Sequence, residues 1–270
     1  MSFRAELSRS HINLFRAGLR FAREIAYPDL DLESYMGRLD RLAAGARAAV
    51  PEDESPTARG IALGRLLFQE LGFRGNAATY NDPRNSYLNE VLDRQLGIPI
   101  TLSVLYVGVA RRMDIPADGV GLPGHFIVQV REGRKRTYLD PFNGGVAISR
   151  EDCVRLVRKT TNYKGAFQQA WLSAISAHDI LTRMLNNLKY VYVGQESWSE
   201  AVAVLDRLRM VQPDNPGHLR DLGILHFRNG STQNAAHYLD AFLRRAPDAP
   251  DAELVKKSLG PLLVKLALVN

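Results

Sequence analysis

Three polar residues follow one another along the middle of the chain in an order that acyl-transfer chemistry uses. Thr101 carries a hydroxyl near the start of a predicted helix, His125 opens a predicted strand, and Asp140 ends the next strand. A histidine can take the proton of a nucleophile, while a carboxylate orients that histidine and stabilises its charged form. The order indicates nucleophile, base and acid, so a hydrolase or acyltransferase using Thr101, His125 and Asp140 is one hypothesis.

This hypothesis depends on the elements that carry the three side chains. Gly97-Ile98-Pro99 interrupts the chain, and the stretch from Ile100 to Met113 is almost continuously apolar, which predicts a buried helix. His125–Val130 and Thr137–Leu139 are rich in β-forming residues, and the basic stretch between them contains Gly133, so we predict an antiparallel hairpin with a basic tip. Catalysis by Thr101 requires its hydroxyl within about 2.6 to 3.2 Å of the His125 ring.

The first 80 residues are predicted to be helical. Asp31 is a suitable N-cap for a second helix, and a third helix is predicted from Thr57 to Leu71, with Gly72 closing it. Ser149, followed by Asp152, predicts the capped start of a later helix. We therefore expect an α+β domain over residues 1–176, made of a helical subdomain (1–80) and a core with a small antiparallel sheet (81–176).

The last third of the chain repeats with a period of 34 residues. The residues that match across this period are Leu188 and Leu222, Ala201 and Ala235, Leu205 and Leu239, Pro213 and Pro247, and Asp214 and Asp248. This period is that of the tetratricopeptide repeat, in which two antiparallel helices per unit bury small and apolar residues. Residues 177–270 are predicted to be an all-α segment of this type, capped by a last helix from Asp251 to Leu268.

The order of motifs resembles that of the transglutaminase-like superfamily and of papain-like enzymes. In those families a cysteine lies at the N-terminus of a buried helix, where the helix dipole stabilises its thiolate. His125 and Asp140 match the histidine and the acid. Matching the helix without gaps places Pro99 at the cysteine position, and Ile127 stands where an aromatic residue is usual. The resemblance therefore implies a transglutaminase-like fold with a degenerate site.

The chain as a whole resembles the SirB-one family of bacterial proteins, in which a transglutaminase-like domain without the catalytic cysteine precedes tetratricopeptide-type repeats. The matching motifs are Tyr27-Pro28-Asp29-Leu30, Gly72-Phe73-Arg74-Gly75-Asn76, Asn85-Ser86-Tyr87-Leu88, Gly97-Ile98-Pro99-Ile100-Thr101-Leu102-Ser103, Pro123-Gly124-His125-Phe126 and Leu139-Asp140-Pro141-Phe142-Asn143-Gly144-Gly145. The resemblance implies a regulatory or scaffolding protein without an established reaction. A protein or peptide partner is expected, and no cofactor.

Two interpretations stay open for the residues of this site. The pair of His125 and Asp140 serves either as a general base with its orienting acid or as a structural relic that joins two strands. Asn85, Ser86 and Tyr87 either line a candidate cleft or form an ordinary turn after Pro83, the interpretation that turn chemistry favours.

Composition narrows the class of protein. The single cysteine, Cys153, excludes an internal disulfide, is interpreted as a small core residue, and fits a reducing, cytoplasmic environment. We expect no metal site from the scattered histidines, and no membrane segment or signal peptide, because no apolar run of about 18 residues occurs. The net charge of +6 leaves nucleic-acid binding as an alternative, although basic and acidic residues alternate along the helices.

Overall fold

The computed structural model describes residues 2–267 of the chain. It contains two compact units that divide between Met184 and Leu185, inside one helix. The N-terminal unit combines helices with a small antiparallel sheet, and the C-terminal unit is helical, so the α+β class predicted from the sequence is confirmed. The predicted domain boundary between residues 176 and 177 falls at the start of the same helix and stays a prediction.

The helices and strands are numbered in chain order. The helices of the N-terminal unit are α1 (Phe3–Leu7), α2 (Leu14–Ile25), α3 (Leu32–Ala49), α4 (Pro56–Arg65), α5 (Leu88–Arg94), α6 (Pro99–Arg112) and α7 (Arg150–Thr161). The later helices are α8 (Ala177–Gly194), α9 (Trp198–Val211), α10 (Gly217–Arg228), α11 (Thr232–Arg245) and α12 (Ala252–Ala267). The strands are β1 (Arg74–Gly75), β2 (Leu96–Gly97), β3 (Ala117–Val120), β4 (Ile127–Glu132), β5 (Lys135–Asp140) and β6 (Val146–Ile148).

Side-chain caps start several of these helices where the sequence predicts them. Asp31 accepts hydrogen bonds from the backbone N–H groups of Glu33 and Ser34 at the start of α3. Ser149 and Asp152 form the predicted reciprocal capping box at the start of α7. Both caps satisfy backbone donors that have no partner within the helix, and both predictions are confirmed.

Helix α6 forms the centre of the N-terminal unit. All of its residues from Pro99 to Ala110 are buried, and it contacts helices α2, α3 and α4 as well as strands β3 and β4. Proline is well suited to the first helical position because its missing N–H would have no helical partner there. The predicted buried helix is confirmed, with its start one residue earlier, at Pro99, and its end at Arg112.

The sheet is larger than the predicted hairpin. Strands β4 and β5 pair antiparallel around a tip at Gly133 and Arg134, as predicted, and β3 and β6 extend the sheet to the order β3-β4-β5-β6. Strands β1 and β2 form a separate short parallel pair. Strand β3 was not predicted because it contains Asp118 and Gly119, which disfavour strands, so pairing with β4 decides its conformation.

In the C-terminal unit, each of the helices α9, α10 and α11 packs on the next helix along the chain. The apolar residues that match across the 34-residue period are buried on helices α8 to α11: Leu188, Ala201, Leu205, Leu222, Ala235 and Leu239. Helix α12 packs on α11 and contributes Val255 and Leu259 to a shared core cluster. The predicted end of this last helix at Leu268 lies outside the described residues.

Candidate functional site

Strands β4 and β5 bring His125 and Asp140 together. In the hairpin register Val128 pairs with Leu139, so His125, which precedes β4, lies at the same end of the sheet as the last residue of β5. His125 Nε2 donates a hydrogen bond to Asp140 Oδ2 over 2.9 Å. The two side chains are 5% and 2% exposed. The histidine and carboxylate that the sequence singles out therefore form a buried dyad.

The Asp140 carboxylate accepts hydrogen bonds from other groups besides His125. Its Oδ1 accepts hydrogen bonds from the backbone N–H groups of Phe142 and Asn143, and its Oδ2 also accepts one from the Asn143 side-chain amide over 2.7 Å. Burial alone raises the pKa of Asp140, but the interactions with His125 and Asn143 outweigh it and place the pKa below its usual value. The carboxylate is therefore ionised at neutral pH and fully hydrogen-bonded.

The position of His125 depends on the glycine before it. Gly124 has a φ of +68°, and a Cβ there would lie 2.5 Å from Thr160 Oγ1. The histidine ring lies edge-on to the ring of Phe142, with 6.1 Å between centroids. The backbone carbonyl of His125 accepts a hydrogen bond from Arg183. Within residues 2–267 the second ring nitrogen, Nδ1, has no hydrogen-bond partner.

Thr101 does not join this dyad. It is not the N-cap, which is Ile98, but the third residue of α6, and its hydroxyl accepts a hydrogen bond from the Ile98 N–H over 3.1 Å. The hydroxyl also lies 2.8 Å from the carbonyl of Asn85, to which it donates. Thr101 is fully buried, and no hydrogen bond links it to His125 in the described part of the chain. The geometry required for catalysis by Thr101 is therefore not found, and Pro99, the first residue of α6, is likewise buried.

Asn85, Ser86 and Tyr87 do not line an open cleft. They belong to or follow a single 3₁₀ turn, Pro83–Ser86, and none is more than 2% exposed. The Asn85 amide donates to the carbonyls of Thr79 and Tyr80, so its polar atoms are used within the fold. The candidate cleft is therefore corrected to a packed turn that receives the Thr101 hydroxyl.

Three side chains near the dyad were not found from the sequence. Arg183, on α8, donates to the carbonyls of Leu122 and His125, both over 2.9 Å, and lies over the ring of Phe126. The ring of Tyr80 lies 6.1 Å from that of Phe142, which in turn contacts His125. Phe142 belongs to one of the motifs that match the family, and this is the one signal for it in the sequence. Tyr80 and Arg183 lie far from His125 along the chain, so no local pattern indicates that they are near it.

Cys153 lies away from solvent in a small apolar cluster with Val120, Ile127 and Val157. Burial, with a smaller effect of nearby carboxylates, raises the pKa of its thiol to about 11. The interpretation as a core residue is confirmed. Over the part of the chain that the structure describes, no three histidine, cysteine, aspartate or glutamate side chains are grouped as a metal site would need.

Two of the four basic residues of the hairpin, Arg131 and Arg136, have side-chain partners within the fold, whereas Arg134 and Lys135 are exposed. Arg131 pairs with Asp118 over 2.8 Å, and Arg136 donates to the carbonyls of Gly133 and Lys135. Elsewhere, arginines pair with carboxylates on neighbouring elements, as Arg16 does with Glu33. These contacts make Arg131 and Arg136 less available to a phosphate than a cluster of free arginines would be.

A second candidate site lies on the C-terminal unit. Among the side chains described between residues 185 and 261, the large apolar ones that are exposed are Tyr190, Val193, Ile224, Phe227 and Leu254. They lie on α8, α10 and α12, and helices α9 and α11 carry none of them. An opening of about 360 Å³ is lined by Gly223, Ile224, Phe227, Arg228, Leu239 and Ser258.

In the described residues no helix has the length and apolar character needed to cross a membrane.

Comparison with known proteins agrees with this division into two parts. The pattern of the transglutaminase-like superfamily matches residues 33–186, and that of the tetratricopeptide repeat matches residues 188–260. A segment of F-box only protein 21 of Mus musculus is 29% identical over 153 residues, which cover 54% of this chain and 23% of that protein.

Two bacterial relatives match nearly the whole chain. A UPF0162 protein of Xylella fastidiosa is 35% identical over 249 residues, covering 91% of this chain and 88% of the relative. A UPF0162 protein of Vibrio cholerae is 29% identical over 239 residues, covering 87% of each chain. In agreement with the resemblance of its motifs to the SirB-one family, the chain belongs to the transglutaminase-like superfamily and, within it, to the UPF0162 family.

Proposed function

We propose that this protein is a non-catalytic, cytoplasmic interaction scaffold whose tetratricopeptide unit binds an apolar segment of a protein partner. The observation that carries the proposal is the placement of its exposed apolar side chains. Tyr190, Val193, Ile224, Phe227 and Leu254 lie on alternate helices of the repeat, whereas the helices between them expose no large apolar side chain among their described residues. Exposed apolar groups on one set of helices are typical of a binding surface.

The opening beside α10 is suited to one large apolar side chain. Gly223 lets the Leu239 side chain pack closely on α10 at the base of the opening, because a Cβ at this position would lie 2.5 Å from Leu239 Cδ2. Ile224 and Phe227 are 47% and 52% exposed and form its walls. Burying an apolar side chain between such groups contributes about 1.5 to 3 kcal/mol.

The positive charge of Arg228 favours a partner segment that carries a negative charge. Arg228 is one of the residues that line the same opening, and its exposed guanidinium forms no ion pair or hydrogen bond with any described residue. An arginine beside an apolar opening favours a carboxylate next to the inserted side chain. The partner segment is therefore expected to carry a leucine, phenylalanine or similar residue with an aspartate or glutamate nearby.

The non-catalytic part of the proposal has support in the N-terminal unit. Pro99 occupies the position where the family resemblance expects the nucleophile, and proline offers none. The hydroxyl of Thr101 is hydrogen-bonded to backbone groups in the core. Neither Pro99 nor Thr101 therefore offers the dyad of His125 and Asp140 a nucleophile.

The test is a peptide selection on the full chain. A phage library of random 12-residue peptides is selected on the wild-type protein and counter-selected on a Phe227→Glu variant. Enriched peptides are synthesised, and their dissociation constants are measured by fluorescence polarisation. We expect peptides that combine a large apolar residue with an acidic one, and binding at least tenfold weaker to Phe227→Glu, because each tenfold step corresponds to about 1.4 kcal/mol.

A matched control separates loss of the surface from loss of the fold. Gln233 is exposed on α11, outside the apolar surface, so Gln233→Glu adds the same charge to the same unit. It should bind the selected peptides as wild type does, and circular dichroism should give both variants the wild-type helix content. The proposal fails if no selected peptide distinguishes wild type from Phe227→Glu, or if Gln233→Glu loses binding equally.

A further inference from the structure

Arg183 is a partly buried cation without a counter-ion. Its Nη2 donates to the carbonyls of Leu122 and His125, and its guanidinium carbon lies 5.3 Å from the centre of the Phe126 ring. Carbonyls and a ring are neutral, and no carboxylate among the described residues forms an ion pair with it. Burial accordingly lowers the pKa of Arg183. Buried charges are normally paired, so the missing anion indicates a ligand.

Space for this guanidinium is provided by a glycine. A Cβ on Gly121 would lie 2.5 Å from Arg183 Nη1 and 3.0 Å from Ile175 Cδ1. Nη2 is already used by the two carbonyls, and Phe126 covers one face of the group. The edge formed by Nη1 and Nε makes no hydrogen bond within residues 2–267. Such an edge has the fork geometry that a carboxylate accepts with both oxygens.

Tyr80 offers a second donor close by. Its hydroxyl makes no hydrogen bond with any described residue, and Tyr80 as a whole is 45% exposed. Burial of part of the ring raises the pKa of Tyr80, and the charge of Arg183 acts in the opposite direction. Tyr80 thus presents a partly exposed phenol beside the ring of Phe142.

His125, the histidine of the dyad, contacts both Phe142 and Arg183. Phe142 lies between Tyr80 and His125, with ring centroids 6.1 Å from each. The carbonyl of His125 holds Arg183, and Nε2 of the same histidine is taken by Asp140, which leaves Nδ1 without a partner among the described residues. Tyr80 and His125 both contact the ring of Phe142, and Arg183 contacts the carbonyl of His125 and the ring of Phe126. Three groups with unused hydrogen-bonding capacity, on Tyr80, His125 and Arg183, are thus linked through contacts with His125 and Phe142.

We propose that Arg183, Tyr80 and His125 form a binding site for a carboxylate-bearing ligand. Arg183 pairs with the carboxylate through its free edge, and Tyr80 donates a hydrogen bond to it. Phe142 packs against the apolar part of the ligand, and His125 Nδ1 binds a neighbouring polar group. This proposal is independent of peptide binding by the C-terminal unit.

The first experiment measures binding of simple probes to the full chain. Benzoate is titrated into protein labelled with ¹⁵N, and the side-chain Nε–H signal of Arg183 and the ring nitrogen signals of His125 are followed. Benzamide, with the same ring and no charge, and inorganic phosphate are the comparison ligands. We expect benzoate to shift both sets of signals saturably and benzamide to leave them unchanged. Tighter binding of phosphate than of benzoate would overturn the carboxylate assignment.

Variants then test the residues. Tyr80→Phe keeps the ring that packs on Phe142 and removes only the hydroxyl, so it should weaken benzoate binding about three- to tenfold. Arg183→Gln should abolish binding, and Gly121→Ala should weaken it by displacing the guanidinium. Arg158→Gln removes an arginine elsewhere that has no partner among the described residues and should bind as wild type does. Unchanged binding by a folded Tyr80→Phe and a folded Gly121→Ala would refute the site even if Arg183→Gln fails to fold.

A last comparison identifies the source of the carboxylate. A short peptide with an apolar last residue and a free C-terminus is compared with the same peptide amidated. Binding at least tenfold tighter than benzoate, lost on amidation, assigns the site to a chain terminus. Equal affinity of benzoate and the free peptide assigns it to small organic acids. If the amidated peptide binds as tightly as the free one, the carboxylate is not the recognised group and the proposal is wrong.

Discussion

His125 Nε2 and Asp140 Oδ2 lie 2.9 Å apart, and the same carboxylate accepts hydrogen bonds from two backbone N–H groups and one side-chain amide. These hydrogen bonds join the segment just before β4, the end of β5 and the turn after β5. Removing the Asp140 carboxylate would leave all of these donors without their partner at once. The dyad therefore contributes to stability whether or not it has a chemical role.

The first prediction concerns the pH dependence of this contribution. Asp140→Asn keeps the size of the side chain and removes its charge, so it should lower the free energy of unfolding by about 2 kcal/mol at pH 7. The pKa of Asp140 in the folded protein lies below its ordinary value of about 3.9. The stabilisation is therefore complete above that ordinary value and is lost as the pH falls through the folded pKa.

Urea unfolding at a series of pH values measures this difference. Trp171 reports on the N-terminal unit if Trp198, the other tryptophan, is first replaced by phenylalanine. The difference in unfolding free energy between the wild-type chain and the Asp140→Asn variant should be constant from about pH 7 to pH 5 and shrink below about pH 4. Asp53→Asn, at an exposed position, serves as the control and should change stability by less than about 0.5 kcal/mol. A difference that persists undiminished at pH 3 would contradict the assignment.

The second prediction concerns Gly124. Gly124→Ala introduces a side chain at φ +68° and places its Cβ 2.5 Å from Thr160 Oγ1. Strain and crowding together should cost about 3 kcal/mol. Gly133→Ala is the matched control, because its φ is +56° and a Cβ there meets nothing within 4 Å. It should cost about 1 kcal/mol. Urea unfolding gives both values, and equal losses would show that crowding at Gly124 is relieved without cost.

The hairpin that carries the dyad could be predicted, whereas its neighbours could not. Residues 125–130 and 137–139 favour strands and flank a polar tip with a glycine, so local chemistry and the fold agree. Strand β3 contains Asp118 and Gly119, and only its pairing with β4 makes it a strand. Long-range pairing of this kind leaves no mark on the local sequence.

The same reason explains the errors at the candidate site. The sequence places the Thr101 hydroxyl near a helix start, but its partner, the Asn85 carbonyl, lies 16 residues earlier. Arg183 reaches His125 across 58 residues. A motif could indicate His125 and Asp140 because both belong to one hairpin, and no local pattern could indicate a side chain delivered by a distant helix.

The third prediction concerns the reactivity of Cys153. Its burial and a thiol pKa of about 11 leave roughly one thiolate in a thousand at pH 8. Native protein should therefore react with Ellman's reagent at pH 8 only as fast as the N-terminal unit unfolds locally around Cys153. Protein unfolded in concentrated urea should react at once, with one thiol per chain. Rapid, stoichiometric labelling of the native protein would contradict the core role.

The fourth prediction separates the structural role of Thr101 from a catalytic one. Thr101→Val preserves the shape of the side chain but removes the hydroxyl that accepts from the Ile98 N–H and donates to the Asn85 carbonyl, leaving both groups buried without that partner. It should destabilise the N-terminal unit by about 1 to 3 kcal/mol. Thr101→Ser keeps the hydroxyl and should recover most of this loss. A nucleophile would instead be modified by a fluorophosphonate probe, and intact-mass spectrometry should find no adduct on the wild-type chain. An adduct that maps to Thr101 and disappears in His125→Gln would restore the hydrolase hypothesis, since only a base-activated hydroxyl would behave in that way.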